Sequence, residues 1–274
     1  MAETQGHVIG GAVTLPEKEL RLTVLQLDPV WEQPEANLHA LSSLTAGLAG
    51  QTDLILLPEM FATGFSMQAS RIAEEAGKGP VVRWMQTQAA ATGALVAGSV
   101  AVREAGRCYN RFYAVYPEGT WVTYDKRHLF RMGKEHLNYT PGKTRVTFGW
   151  KGWRFLPQVC YDLRFPAWSR NRNDYDVALY AANWPAARQD VLLTLAKARA
   201  LENNCYVAVS NRIGRDGLGV LHQGESRIIG YKGEVLATAS QEAVSVTATL
   251  SYKALQEFRK KFPVWMDTDF FTIS

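Results

Sequence analysis

Along most of the chain, short apolar runs rich in β-branched residues alternate with stretches of helical spacing, and this alternation limits the fold more than any other feature. Leu22 to Leu27 (LTVLQL) reads as a strand, followed by a helical stretch from about Glu35 to Leu48. Asp53 to Leu57 (DLILL) is an apolar run halted by Pro58, the pattern of a buried strand entering a loop. A helix around Val81 to Ala91 precedes Ala94 to Val102, whose small and branched residues suit a central strand. Arg111 to Tyr124 gives two strands about a Pro117–Glu118–Gly119 turn. Trp153 to Cys160 and Asp176 to Ala181 are strands, with a short helix from about Pro166 to Arg172 between them. A helix from about Arg188 to Asn203 leads into a strand at Cys205 to Asn211. Ser226–Ile229, Glu234–Ala237 and Ser245–Leu250 close the chain as a meander with a turn at Lys232–Gly233. Helices interleaved with strands bury their apolar stripes only when layered on a sheet. The hairpins make that sheet mixed. The pattern predicts one α/β domain over residues 20–274. The polar first nineteen residues, with Gly10–Gly11, read as a flexible extension.

Composition removes several classes of function. With 274 residues, 47% hydrophobic and 20% charged, the chain can bury a substantial core. A net charge of +4 is too small and scattered to attract nucleic acid. The basic run Arg259–Lys260–Lys261 reads as the solvated end of a helix. Cys108, Cys160 and Cys205 lie far apart, which argues against a disulfide framework or a cysteine-based zinc site and for a reducing, cytoplasmic setting. His7, His39, His128, His136 and His222 form no close ligand pair, so no metal or other cofactor is expected. No apolar run approaches the roughly 18–20 residues that span a bilayer, and the start lacks the apolar core of a signal peptide. Gly214 to Gly219 (GRDGLG) opens no helix and reads as a loop, not a phosphate cradle.

Three segments share one design, an apolar run ending in an ionisable residue: LILLPEMF at Glu59, WVTYDKRH at Lys126 and LPQVCYD at Cys160. Residues beyond the carboxyl ends of strands converge in open α/β folds. A cysteine attacks a carbonyl only as its thiolate. A carboxylate in a dry pocket can take that proton, and an ammonium can stabilise the oxyanion that follows. Taken singly, each residue has a plainer role: a buried thiol, a loop carboxylate, a solvated lysine.

The segments LPEMFATGF, YDKRHLF and VCYDLRFPAWSR resemble, in order and spacing, the three signature blocks of the nitrilase superfamily. GKEHLNYTPG, LYAANWPAAR and ARALENNCYVAVSNRIG resemble further blocks, so the likeness runs from about Leu22 to the C-terminus. FRMGKEH, ANWPAAR and the closing FPVWMDTDFF are similar to the bacterial omega-amidase branch. The resemblance implies a four-layer α-β-β-α sandwich with mixed sheets, paired between subunits. It implies a triad of Glu59, Lys126 and Cys160, with Glu135 orienting the lysine and the backbone N–H of Tyr161 helping to hold the oxyanion.

The implied reaction is hydrolysis of the terminal amide of 2-oxo dicarboxylic monoamides through a thioester. The far carboxylate of such a substrate calls for a cation, best supplied by a bidentate arginine. Arg131 and Arg188 are the candidates, whereas Arg164, close to Asp162, reads as a structural ion pair. Asn183 and Trp184 are expected to line the pocket, with Phe65 opposite. The small-molecule amide would be the only ligand. Other copies of the chain are the expected partners, in a homodimer or larger assembly with FPVWMDTDFF as the contact. Two alternatives stay open: a related amidohydrolase taking N-carbamoyl amino acids, aliphatic amides or nitriles, and a catalytically silent binding module.

Overall fold

The computed structural model describes residues 19–273; of the predicted extension over the first nineteen residues, all but Glu19, which opens β1, lies outside them. The first half of the chain runs β1 (Glu19–Gln26), α1 (Pro34–Thr45), β2 (Leu54–Leu56), α2 (Ala69–Ile72), β3 (Glu74–Glu75), α3 (Pro80–Thr92), β4 (Leu95–Glu104), β5 (Arg107–Val115) and β6 (Trp121–Asp125). The second half runs β7 (Phe148–Trp150), β8 (Trp153–Val159), α4 (Pro166–Ser169), β9 (Val177–Ala181), α5 (Gln189–Asn203), β10 (Tyr206–Ser210), β11 (Ile213–Arg215), β12 (Leu221–Gln223), β13 (Arg227–Ile229), β14 (Val235–Thr238), β15 (Val244–Ser251) and α6 (Tyr252–Lys261).

Two mixed sheets result. The first has strand order β15-β1-β2-β4-β5-β6, with β3 added on β4; the second has order β14-β13-β10-β9-β8-β7. In the first, β1, β2 and β4 are parallel. In the second, β8, β9 and β10 are parallel.

Side-chain alternation turns these sheets into four layers. Leu22, Val24, Leu54 and Leu56 meet Val159, Val177, Leu179 and Ala208 in a core between the sheets. The intervening Ile55, Leu57 and Val96 face outward onto Leu41 of α1 and Val82, Met85 and Ala89 of α3. On the other side, Leu156, Ala178, Tyr180 and Val207 pack on Leu192, Ala196 and Ala200 of α5. The four layers are the α-β-β-α sandwich that the resemblance implies, and the strands are apolar on both faces because each sheet is covered by helices on one side and by the other sheet on the other.

Several expectations are corrected. The closing meander is split: β13 and β14 form a hairpin in the second sheet, whereas β15 crosses over to pair antiparallel with β1. The GRDGLG stretch is not a plain loop but the turn of a small hairpin of β11 and β12, closed by the Asp216 side chain accepting from the Leu218 and Val220 N–H groups. The helix expected over Pro166 to Arg172 ends at Ser169. Arg259 is not solvated. Buried at the end of α6, it pairs with Asp176 at 2.6 Å and donates to the Asn204 and Tyr175 carbonyls, while Lys260 and Lys261 face solvent.

At the carboxyl ends of the parallel strands the sheets are pinned together. The Glu59 N–H donates to the Ala182 carbonyl at 3.2 Å, and the Ile213 N–H to that of Leu27 at 3.0 Å. The loops after β2, β6, β8, β9 and β10 are therefore gathered at one end of the sandwich. No helix among the described residues is long and apolar enough to cross a membrane.

Candidate active site

Glu59 follows β2 because Pro58 ends the ladder, and the next residue, Met60, takes a left-handed φ of 46°. Its N–H is caught by the Ser99 hydroxyl at 2.9 Å. Lys126 is the first residue after β6, its N–H bonded to the Asn110 carbonyl. Cys160 was expected to finish a strand. It stands instead just beyond β8, at φ 42°, opening a 3-10 turn over Cys160–Arg164. Left-handed backbone at a non-glycine residue stores strain and is held only by its surroundings. Here the holder is Asp162. It accepts from the Val159 N–H at 3.0 Å, the Tyr124 hydroxyl at 2.8 Å and the His128 N–H at 3.0 Å, and its Oδ1 lies 2.8 Å from His128 Nδ1.

The ionisable groups meet in the buried interior. Lys126 Nζ lies 2.7 Å from Glu59 Oε1 and 2.9 and 3.1 Å from the two Glu135 oxygens. Glu135 is fully buried and its Oε2 also accepts from the Phe130 N–H at 2.6 Å. Asn110 donates to Glu59 Oε1 at 2.8 Å and Glu135 Oε1 at 3.1 Å. Glu59 Oε2 has no such partner among the described residues, and the Cys160 thiol lies against this carboxyl group.

Burial, first, and then the negative charge of Glu135 raise the Glu59 carboxyl above its ordinary range, against the pull of Lys126. Burial alone would discharge Lys126, but Glu135 and Glu59 outweigh it and hold the ammonium charged. Burial and the Glu59 carboxylate push the Cys160 thiol well above its usual pKa, with Lys126 opposing. A thiol held in its neutral form thus lies beside a carboxyl group of raised basicity. Such a pair transfers its proton as attack occurs.

The other predicted residues have definite places. The Phe65 ring lies 5.0 Å from Lys126 Nζ. Tyr161 packs edge-on against Phe130 and Phe165, with both centroid distances 5.2 Å. The Asn183 backbone N–H reaches the Cys160 sulfur, and its buried side-chain amide has no hydrogen-bond partner among the described residues. Trp184 is buried in the cluster under α5, where its indole N–H donates to the Arg188 carbonyl at 2.8 Å. The Arg188 guanidinium lies over Phe130 at 5.3 Å, whereas Arg131 is exposed. Arg164 corrects its expectation: it stacks on Trp184 at 5.5 Å and does not pair with Asp162, whose oxygens are already occupied.

Asn110 and Asp162 were not singled out from the sequence. Asn110 is a fully buried amide in the middle of β5, and that burial, which demands partners, is visible only in the fold. No cluster of three or more histidine, cysteine or acidic side chains suited to a metal occurs among the described residues.

The carbon-nitrogen hydrolase family model matches residues 21–260. The chain belongs to the carbon-nitrogen hydrolase family. It is 50% identical over 255 residues to the omega-amidase YafV of Escherichia coli K12, covering 93% of this chain and 98% of that protein. It is 33% identical to the 2-oxoglutaramate amidase of Bacillus subtilis, over 90% of this chain and 96% of that one. Among solved structures it superposes on XC1258 of Xanthomonas campestris with a TM-score of 0.91 at 44% identity, covering 93% and 99% of the two chains. That protein is described as a CN-hydrolase superfamily member with an arsenic adduct in its active site.

Proposed function

We propose that this protein is an omega-amidase that hydrolyses the terminal amide of 2-oxo dicarboxylic monoamides, 2-oxoglutaramate foremost. The observation that carries the reading is the meeting of the buried Glu59, Lys126 and Glu135 side chains beside the Cys160 thiol. The likeness to the omega-amidase and 2-oxoglutaramate amidase supports the substrate.

Glu59 takes the thiol proton as Sγ forms a bond to the carboxamide carbon. The oxyanion is received by Lys126 and by the N–H of Tyr161, the second residue of the 3-10 turn, where such groups lack an intrahelical acceptor. The C–N bond breaks as Glu59 protonates the leaving nitrogen, and ammonia departs. Glu59 then deprotonates water, which attacks the thioester. The acid leaves, and the sulfur recovers its proton. Asn183, whose buried side-chain amide is unpaired among the described residues, is assigned to hold the substrate. One domain over residues 20–274 and a reducing, cytoplasmic setting belong to the same proposal. Three free cysteines favour that setting.

The test is ammonia release by wild type and Cys160→Ala on 2-oxoglutaramate, an N-carbamoyl amino acid and a simple nitrile. Turnover of 2-oxoglutaramate that disappears in the variant is expected. Thiol-dependent turnover of another substrate instead would keep the chemistry and discard the substrate. Normal rates in the variant would discard the mechanism.

A further inference from the structure

We propose that Arg188 is the cation that receives the carboxylate at the end of the substrate remote from the scissile amide, with the Phe130 ring as its support. The proposal rests on the omega-amidase reading, which supplies a substrate with such a carboxylate.

The cations around the nucleophile are unequal. Lys126 is committed to two glutamates. Arg127 lies on the Trp168 ring and donates to the Gly142 carbonyl. Arg164 is half-buried as well and forms no side-chain ion pair or hydrogen bond among the described residues; it stacks on Trp184, an indole sunk in the hydrophobic cluster under α5, and so is the rival that the test must separate from Arg188. Arg131 is exposed on a 3-10 turn, where water competes for its donors and an ion pair is worth little. Arg188 is half-buried, and its side chain forms no ion pair or hydrogen bond among the described residues.

Its seat leads to the nucleophile. Phe130, under the guanidinium, packs edge-on against Tyr161, the neighbour of Cys160. The backbone of Phe130 donates to Glu135, the carboxylate that holds Lys126. The arginine and the triad are thus linked through one residue, Phe130.

The segment that carries Arg188 is also fixed. Trp184 Nε1 donates to the Arg188 carbonyl at 2.8 Å, the Arg188 N–H donates to Pro185 at 3.0 Å, and the Trp184 N–H is held by Asn211 Oδ1 at 2.8 Å. A guanidinium stacks through its face and hydrogen-bonds through its edge. Resting on Phe130, it keeps its in-plane N–H fork free for both oxygens of a carboxylate.

The test compares kcat/KM for 2-oxoglutaramate with that for pentanamide, a neutral amide of matching length. The proteins are wild type, Arg188→Gln, Arg188→Lys, Arg131→Gln and Arg164→Gln. The ratio of the two substrates is expected to fall on the order of 100-fold in Arg188→Gln, chiefly through KM for the acid. Arg188→Lys should recover part of it, and Arg131→Gln and Arg164→Gln should retain it. A ratio preserved in Arg188→Gln, equal losses on both substrates, or a collapse in Arg131→Gln instead would overturn the assignment. If wild type does not prefer the acid-bearing amide, the substrate reading fails and the role of Arg188 fails with it. That result is separable from a preference that merely survives the Arg188 substitution.

Discussion

Asn110 sits between the two buried carboxylates and donates to both, so Glu59 and Glu135 are held together despite their like charge, with one ammonium between them. The repulsion is felt by Glu59, whose carboxyl is raised first by burial and also by Glu135. Glu59 must be ionised to accept the thiol proton, so activity is lost as pH falls through its raised pKa. The acid limb of kcat/KM should therefore lie above the ordinary carboxylate range of about 4–4.5. Replacing Glu135 by Gln removes the like charge and should move that limb to lower pH, along with a loss of kcat as Lys126 loses one holder. A pH–rate profile of Glu135→Gln with the limb unmoved or moved upward would reject this coupling. The triad was named from the resemblance of its three segments to the superfamily's signature blocks; the apolar runs before each member left plainer roles open. Asn110 was not named, since nothing in RCYNRFYAV marks which strand residue turns toward a site built from other segments.

At the scale of the element, the 3-10 turn after β8 aims the nucleophile, and Asp162 ties that turn to the loop carrying His128, two residues beyond Lys126. All its donors converge on one carboxylate, so Asp162→Asn offers an NH₂ group where an acceptor is needed. Displacements of about 1 Å cost on the order of 100-fold in rate. Asp162→Asn should lose kcat by about that factor, with KM nearly unchanged and slower alkylation of Cys160 by iodoacetamide. Full kcat with only a lower Tm would reduce Asp162 to a structural role. The strands on either side of this turn could be read from their apolar runs. The sign of φ at Cys160 could not, because it depends on the clamp, and Asp162 only acquires its Tyr124 and His128 donors once distant segments meet. For the same reason GRDGLG concealed a hairpin: its glycines signal a turn, while the Asp216 bonds that close it depend on the fold.

For the whole molecule, the interleaved helices and strands call for helix layered on sheet, while the face-to-face pairing of two sheets is implied only by the family resemblance. Assignment of strands to sheets was not written locally. β15 returns across nearly the whole chain to pair with β1, in a register of long-range contacts that no window of sequence contains. Beyond that strand and α6, the C-terminal segment leaves Phe262, Met266 and Phe270 largely exposed, Phe270 fully so. Its neighbour Phe271 is anchored by Arg172, which stacks on the ring at 5.2 Å and donates to its carbonyl. A docked segment with clustered exposed apolar side chains fits an assembly contact better than a solvated tail, and a second copy of this chain is the proposed occupant. A stable dimer buries about 800 Å² per partner. Sedimentation equilibrium should accordingly give a dimer or larger for wild type. The doubly charged variant Met266→Asp/Phe270→Asp should shift the population toward monomer, by weakening the contact and not the fold, with its Tm in dilute solution retained. A wild type that stays monomeric at micromolar concentration would remove the contact, and an unshifted variant would move it to another face.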